Sequence, residues 1–288
     1  MQNTIVYLNG LYYPLHAARV SVLDRGFSYG DAVFETLHAY GGRVFRLEEH
    51  IDRLFRAADQ IFLHLPMTRG EISQAVNNIL GCNHFPDAIL RVNVSRGEQV
   101  PGLHINPETT PTVSIIARSH APLPFKYYTE GVKISLFPQS ACRTAGVSPQ
   151  IKSGNYLSQI VIRELAARKG AYEGILMDGN GYIAEGTTSN IFIVSKGVLK
   201  TPSLSEYVLA GITRQVVLEI ARENNIPCAE LPMRAEDVYE ADEIFLTNTG
   251  IELLPVGIAD ERSIGVTCPG VTTRFLAAEF SKIVEGDK

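Results

Sequence analysis

The chain has 288 residues, 45% of them apolar, and this length allows about two globular domains with buried cores. The formal net charge is −5 and the isoelectric point is near 5.8, so the composition excludes the basic surface that a nucleic-acid backbone requires. No apolar run approaches the roughly 20 residues that cross a bilayer, and MQNTIVYLNG does not resemble a secretory signal. We therefore expect a cytoplasmic protein with neither a nucleic-acid nor a membrane partner.

Cysteine spacing also limits the kinds of site to expect. The four cysteines form no C-x-x-C pair, which argues against a disulfide framework and against a structural zinc site. Reduced, packed thiols and no bound metal are therefore expected. The residues concerned are Cys82, Cys142, Cys228 and Cys268.

Residues 1–117 have the pattern of an antiparallel sheet with two helices, which predicts an α+β domain. Asn9-Gly10 and Gly41-Gly42 each separate two β-rich runs, so both are predicted hairpin turns. Apolar residues then recur at helical spacing from Leu47 to Phe62, and a second helix is predicted from Thr68. Further strands are predicted at Ala88 to Ser95 and at Thr112 to Ala117.

Residues 118–126 are predicted to form an interdomain linker, and residues 127–288 a larger mixed α/β domain. Within it, strand patterns occur in VKISLF, GILM, YIAEG, NIFIV and EIFLTN. Helices are predicted from about Asn155 to Lys169, at Gly211 to Asn224, around Ala235 to Ala241, and from Pro269 onward.

Five short motifs follow one another along the chain: EEHIDRL, IKSGNYL, AEGTTSNIFIV, LAGITRQ and LTNTGIELLPV. A single lysine such as Lys152 is most often a solvated surface residue, so it says little by itself. The order of the motifs resembles the fold-type-IV pyridoxal-phosphate enzymes, which include branched-chain aminotransferases, D-amino-acid aminotransferases and aminodeoxychorismate lyases. The resemblance runs from Tyr7 to about Phe275. It implies a two-domain homodimer with pyridoxal 5′-phosphate at the domain interface and the cofactor lysine in the C-terminal domain.

The resemblance implies three catalytic residues: Lys152, Glu185 and Tyr156. Lys152 would condense with the cofactor aldehyde and then carry the proton. Glu185 would face the pyridine nitrogen, where a nearby negative charge keeps that nitrogen protonated. Tyr156 resembles the tyrosine that hydrogen-bonds the phenolate oxygen, although branched-chain enzymes have one more residue between the lysine and the tyrosine. Leu209 resembles the leucine that packs on the ring.

A phosphate site is indicated partly by the residues themselves. The predicted helix after Gly211 offers unpaired N–H groups and a positive dipole end, although simple helix capping is the alternative. The turn at 247–250 offers further N–H donors. Arg53 matches the phosphate arginine of the family, the alternative being a surface pair with Glu49. The predicted cofactor-binding residues are Arg53, Lys152, Tyr156, Glu185, Thr188, Leu209, Ile212, Thr213, Asn248 and Thr249.

The substrate residues resemble two subgroups of the family, each in part. Tyr29 and Arg91 match branched-chain enzymes, whereas His38 replaces an arginine and Ile89 a tyrosine of those enzymes. His104 approximates a histidine of the D-amino-acid enzymes, whose accompanying arginine is missing here. The handedness of the substrate therefore stays open. The predicted substrate-binding residues are Tyr29, His38, Arg91, His104, Thr249 and Gly250.

The resemblance implies a ping-pong transamination between an amino acid, either branched-chain L or D, and a 2-oxo acid such as 2-oxoglutarate. One alternative is a 4-amino-4-deoxychorismate lyase that releases pyruvate and 4-aminobenzoate. A second is a ligand-binding module with an inactive site, against which stands the joint presence of Lys152, Glu185, Arg53 and Thr213.

Overall fold

The computed structural model describes residues 4–286 except 139–147, 149 and 205–206. The chain forms two compact units. The first contains residues 4–121 together with 151–155, and the second contains the remaining described residues. The segment with Lys152 thus belongs to the first unit, although the sequence assigned residues 127–288 to the second domain. The predicted linker at 118–126 is also shorter in the structure, because a strand ends at Ser119 and a helix begins at Phe125.

The first unit is built on a six-stranded antiparallel sheet. Both predicted hairpins are confirmed, and the turn residues Asn9 and Gly10 have φ angles of 49° and 91°. The strands are β1 (Ile5–Leu8), β2 (Leu11–Pro14), β3 (Ala32–Tyr40), β4 (Arg43–Val44), β5 (Ala88–Ser95) and β6 (Thr112–Ser119). Their order across the sheet is β2-β1-β6-β5-β3-β4.

Three helices accompany this sheet: α1 (Arg25–Tyr29), α2 (Leu47–Gln60) and α3 (Arg69–Asn83). The two long helices confirm the predicted ones. Thr68 and Glu71 form a capping box at the start of α3, since each side chain accepts a hydrogen bond from the backbone N–H of the other residue. The core of the unit combines both helices with one face of the sheet, through residues such as Leu37, Leu54, Ile72, Ile79 and Leu90.

The Lys152 segment is held in the first unit by backbone pairing with β3. The Phe34 N–H donates to the Lys152 carbonyl at 2.9 Å, and the Gly154 N–H donates to the Ala32 carbonyl at 2.7 Å. Ser153 forms an antiparallel bridge with Val33. Because β4 pairs only with the last two residues of β3, the segment occupies the same edge of β3 near its beginning.

The second unit contains a nine-stranded mixed sheet in the order β12-β11-β10-β13-β14-β7-β8-β9, with β15 paired to β14. The pairs β11/β12, β7/β14 and β7/β8 are parallel. The strands are β7 (Val132–Phe137), β8 (Glu173–Met177), β9 (Ile183–Gly186), β10 (Asn190–Ser195), β11 (Val198–Thr201), β12 (Cys228–Glu230), β13 (Glu243–Asn248), β14 (Glu252–Ala259) and β15 (Arg262–Ser263). The helices are α4 (Phe125–Glu130), α5 (Leu157–Arg168), α6 (Ile212–Glu223), α7 (Ala235–Tyr239) and α8 (Val271–Gly286).

Most predicted elements of the second unit are confirmed. All five predicted strands are present, as are the four predicted helices. The structure adds α4, β11, β12, β14 and β15, which the sequence patterns did not indicate. Three of the four cysteines, Cys82, Cys228 and Cys268, are free thiols, whereas Cys142 lies outside the described residues. Over the described part of the chain, no helix combines the length and apolarity needed to cross a bilayer.

A buried ionic cluster joins β3 to α2. Both carboxylate oxygens of Glu35 accept hydrogen bonds from Arg53, from Nε at 2.6 Å and from Nη2 at 2.7 Å. His50 Nδ1 lies 2.8 Å from the same carboxylate. Burial acts to raise the pKa of Glu35, but the Arg53 guanidinium, with help from His50, holds that pKa well below its usual range. Burial also lowers the pKa of His50, so Arg53 supplies the balancing positive charge.

We expect Glu35→Gln to lower the free energy of unfolding by about 3–5 kcal/mol at neutral pH, because Arg53 would stay buried without its counter-charge. The pKa of Glu35 is lower in the folded state than in the unfolded state. Its stabilisation is therefore fully present above about pH 5 and declines as the pH falls below the unfolded pKa of about 4.3. Urea unfolding of both proteins at neutral pH and near pH 4 measures the two effects.

The matched control is Glu49→Gln, which removes a partly exposed pair with Arg46. This change is expected to alter the free energy of unfolding by less than about 1 kcal/mol. A Glu35→Gln variant no less stable than this control would contradict the assignment.

Candidate active site

Lys152 lies against one face of the first sheet. Side chains alternate along β3, so Glu35 and Leu37 point toward the helices while Phe34 and His38 point to the opposite face. The Lys152 Nζ atom is 4.7 Å from the centroid of the Phe34 ring on that opposite face. Backbone pairing and this ring together fix the direction of the lysine side chain.

Arg91 occupies the same face on the neighbouring strand. Its partner across the β3–β5 ladder is Thr36, and its guanidinium carbon lies 3.6 Å from the centroid of the Phe34 ring. Arg91 Nε also donates to Asn93 Oδ1 at 2.8 Å. One phenyl ring therefore contacts both the Lys152 ammonium and the Arg91 guanidinium. The structure brings together a predicted catalytic residue and a predicted substrate-binding residue.

His38 shares this face, but its ring is enclosed by protein. Its side chain is 2% exposed, Nε2 lies 2.6 Å from Asp87 Oδ1, and the ring stacks on Tyr40 at a centroid distance of 3.8 Å. A contact with substrate would first require the ring to be uncovered. The substrate-binding role of His38 stays a prediction.

Tyr29 and the loop that carries His104 lie together. Gly102 of this loop donates its N–H to Tyr29 Oη at 3.2 Å, and its carbonyl accepts from Arg25 Nη1 at 2.6 Å. The His104 carbonyl in turn accepts a hydrogen bond from the Gln99 side chain. Two of the predicted substrate residues are therefore connected through one loop, which is exposed in the chain.

In the second unit, Glu185 is anchored by the backbone. It lies in β9, and its Oε2 accepts a hydrogen bond from the Leu209 N–H at 2.8 Å. The Leu209 carbonyl accepts from Asn190 Nδ2 at 3.0 Å. The first hydrogen bond joins Glu185, the predicted partner of the ring nitrogen, to Leu209, the predicted ring-packing residue. Asn190, which the sequence analysis did not single out, orients Leu209.

The predicted phosphate end coincides with the start of α6. Among the described residues no side chain caps this helix, and its first turn holds no acidic residue. Ile212 and Thr213 begin the helix, and both are buried. A Cβ atom at Gly211 would collide with the side-chain oxygen of Asn190, so a larger residue could not bring the chain into the helix here. Such an uncapped, positive helix end suits a phosphate dianion.

A tight turn follows β13. Asn248 Oδ1 accepts hydrogen bonds from the N–H groups of Gly250 at 2.8 Å and of Ile251 at 3.0 Å, which fixes the turn that carries Thr249. Asn248 Nδ2 also donates to the Thr188 carbonyl at 3.2 Å. Three predicted cofactor residues, Thr188, Asn248 and Thr249, therefore belong to one connected loop cluster in this unit.

Glu173 organises the loop after Glu185 and was not predicted. Its fully buried carboxylate accepts hydrogen bonds from the hydroxyls of Thr187, Thr188 and Ser189 and pairs with Arg163 at 2.8 Å. The only hint in the sequence is an acidic residue at the start of the apolar run GILM. Tyr156, a predicted catalytic residue, lies immediately before α5, the helix that carries Arg163.

The donor set of the second unit fits a phosphorylated pyridine cofactor. Glu185 offers a fixed carboxylate, and the start of α6 offers N–H groups with the Thr213 hydroxyl. The Thr247 hydroxyl is buried, and the described residues supply it with no hydrogen-bond partner. Thr247 pairs with Asn190 across the β10–β13 ladder, so this hydroxyl belongs to the same cluster. Buried polar groups are normally satisfied, and an oxygen-rich ligand would satisfy this one.

The sequence is similar to known aminotransferases. The family profile of class IV amino-transferases matches residues 32–258. A putative branched-chain-amino-acid aminotransferase of Methanocaldococcus jannaschii is 38% identical over 278 residues, which is 96% of each chain. A D-alanine aminotransferase of Staphylococcus haemolyticus is 30% identical over 284 residues, 98% of each chain.

A solved structure is also similar over the whole chain. It is the branched-chain amino acid aminotransferase of Thermobaculum terrenum in its pyridoxal-phosphate form, which superposes with a TM-score of 0.87 at 26% identity. The match covers 100% of this chain and 96% of the other. The expected fold class, enzyme class and cofactor are confirmed, and the chain belongs to the class IV aminotransferases, which use pyridoxal 5′-phosphate.

Proposed function

We propose that this aminotransferase acts on branched-chain L-amino acids, with 2-oxoglutarate as the amino acceptor. The observation that carries the proposal is the Phe34 ring, which contacts both the Lys152 ammonium and the Arg91 guanidinium. A guanidinium is suited to a substrate carboxylate, and its place beside Lys152 would direct the substrate Cα toward that lysine. Ile89, two residues from Arg91 on the same strand, adds an apolar side chain to this face.

When bound, pyridoxal 5′-phosphate supplies an aldehyde that takes up the amino group and a ring that accepts electrons from the substrate. Lys152 Nζ would hold the cofactor through this aldehyde, and the same amine would carry the proton away from the substrate Cα. Glu185, fixed by the Leu209 N–H, is proposed to keep the ring nitrogen protonated. Arg53, oriented by Glu35, and Thr213 are proposed to bind the phosphate.

A D-amino acid is the second candidate substrate. The D-alanine aminotransferase relative favours it, and so does His104, which approximates a histidine of the D-amino-acid enzymes. The arginine expected after Ser95-Arg96-Gly97 in the D-enzymes is missing. Arg96 itself is buried and pairs with Asp31 through two nitrogens, so it does not replace the missing one. The relatives are aminotransferases, and a lyase is not favoured.

We also propose a cytoplasmic homodimer, as the family resemblance implies. Supporting the dimer, α5 carries large apolar side chains that are exposed in the single chain, including Leu157, Ile160, Val161 and Leu165. Exposed apolar patches of this kind are typical of protein interfaces.

Lys152→Ala is expected to abolish covalent attachment of the cofactor and to lower turnover by at least about 10²–10⁴-fold, the usual contribution of a general acid–base group. Borohydride reduction followed by peptide mass mapping should locate the cofactor on the peptide of Lys152 in the wild type only. Lys169→Ala is the matched control, because Lys169 Nζ also lies 4.7 Å from a phenylalanine ring, that of Phe137. Trapping at an unchanged level in Lys152→Ala would disprove the assignment.

Glu185→Gln should keep the cofactor bound, since an amide oxygen can still accept the Leu209 N–H. We expect the single-turnover reaction with amino acid to slow by at least about tenfold, the equivalent of one pKa unit lost at the ring nitrogen. Stopped-flow spectra at matched cofactor loading give the rate. A variant with the wild-type rate would show that the charge of Glu185 is not needed.

Substrate choice is tested by supplying the holoenzyme with L-leucine, L-valine or D-alanine together with 2-oxoglutarate. We expect the L-amino acids to react and Arg91→Leu to raise KM for them more than it lowers kcat, because a carboxylate partner is lost. Arg118→Leu is the control, since Arg118 pairs with Ile89 on the same face of the sheet. Preferential conversion of D-alanine would replace the proposal with the second candidate.

A further inference from the structure

Three side chains with metal-ligating atoms converge at one end of the first sheet: His38, Asp87 and His120. His38 belongs to β3, Asp87 immediately precedes β5, and His120 immediately follows β6. Within the described residues this is the one group of three or more histidine, cysteine or acidic side chains with such spacing. The aminotransferase chemistry derived above does not use it as a unit.

The pairing of three neighbouring strands places these side chains on one face. Ala39 pairs with Ala88, which brings Tyr40 opposite Asp87, and Ala88 pairs with Ser119, which brings Asp87 opposite His120. The His120 N–H donates to the Asp87 carbonyl at 2.9 Å and fixes this last pair. Residues opposite each other in a ladder share a face, so the backbone itself preorganises the cluster.

The ring of His38 is also held in orientation. It stacks on Tyr40 at 3.8 Å, and the His120 ring lies 4.4 Å away at an angle of 58°. His38 is buried, His120 is mostly buried, and the Asp87 side chain is 54% exposed. The cluster therefore has a rigid inner wall and one side that is open to solvent.

The separations of the ligating atoms suit one small divalent ion. Asp87 Oδ1 lies 2.6 Å from His38 Nε2 and 3.6 Å from His120 Nδ1. One ligating atom from each of the three residues lies within 4.8 Å of the other two. With metal–ligand bonds of about 2.0–2.1 Å, tetrahedral zinc holds its ligand atoms about 3.3 Å apart. The two separations from Asp87 Oδ1 bracket that value, so small side-chain rotations would complete the geometry.

We propose that His38, Asp87 and His120 form a binding site for a zinc-class divalent ion, with water as the fourth ligand. Two imidazoles and one carboxylate are a donor set that suits Zn²⁺ or Co²⁺ better than Mg²⁺ or Ca²⁺. The bound ion links three strands of the first unit and stabilises their common end.

The test uses untagged holoenzyme that has been freed of metal by a chelator and of unbound cofactor by dialysis. Titration with Co²⁺, followed through its d–d absorption, should show one saturable site per chain, and Zn²⁺ should displace the Co²⁺. The thermal unfolding midpoint should rise with the concentration of Zn²⁺, since only the folded chain has the site. These readouts depend on neither turnover nor substrate choice, so they can fail while the proposed function stands.

Two variants identify the site. His120→Ala and Asp87→Ala should each weaken Co²⁺ affinity by at least about tenfold to 100-fold and remove the thermal shift. His64→Ala, which changes an exposed histidine outside the cluster, should leave both unchanged. The proposal would be overturned if the wild type showed no saturable Co²⁺ binding. It would also be overturned if the wild type bound Co²⁺ no more tightly than His120→Ala and Asp87→Ala. Circular dichroism confirms that each variant is folded, and anomalous diffraction from a Zn²⁺ crystal gives the position of the ion.

Discussion

Two backbone hydrogen bonds fix residues 152–154 to the edge of β3, and both faces of that strand carry the chemistry of the first unit. One face holds Phe34, whose ring contacts Lys152 and Arg91, and the other holds Glu35, whose carboxylate orients Arg53. Because successive side chains of a strand point to opposite faces, a single strand supplies both groups. A shift of one residue in its register would exchange the two faces.

The second unit depends on a comparable arrangement of buried polar groups. Glu173 gathers three hydroxyls and the Arg163 guanidinium, which fixes the loop directly after Glu185. Asn190 anchors Leu209, whose N–H orients Glu185 itself. A carboxylate with this many partners is stable only when all of them are present, because an incompletely satisfied buried charge is costly. The residues expected to meet the cofactor are thus positioned by residues that are not expected to touch it.

The sequence predicted the elements that leave a short-range pattern in the chain, such as a turn dipeptide, a helical spacing or a motif. Glycine turns marked both hairpins, and helical spacing marked α2. Strand β14 was missed because Pro255 and Gly257 interrupt its pattern, although the structure pairs Pro255 with Phe245. The place of Lys152 was also misassigned, since the hydrogen bonds that join it to β3 link positions more than 100 residues apart in the chain, and no local pattern records such pairing.

Glu35 and His38 show why the roles of single residues are harder to predict than the elements that carry them. Each is a polar residue within the same apolar strand run, so the composition of the run does not distinguish their roles. Glu35 faces α2, where Arg53 and His50 compensate for the loss of hydration. His38 points to the opposite face of the sheet, where it contacts Asp87, which precedes β5, and His120, which follows β6. The difference arises because successive side chains of β3 point to opposite faces and because the register of the sheet sets which distant residues lie beside each one. The chemistry of each side chain therefore depends on partners that the local sequence cannot reveal.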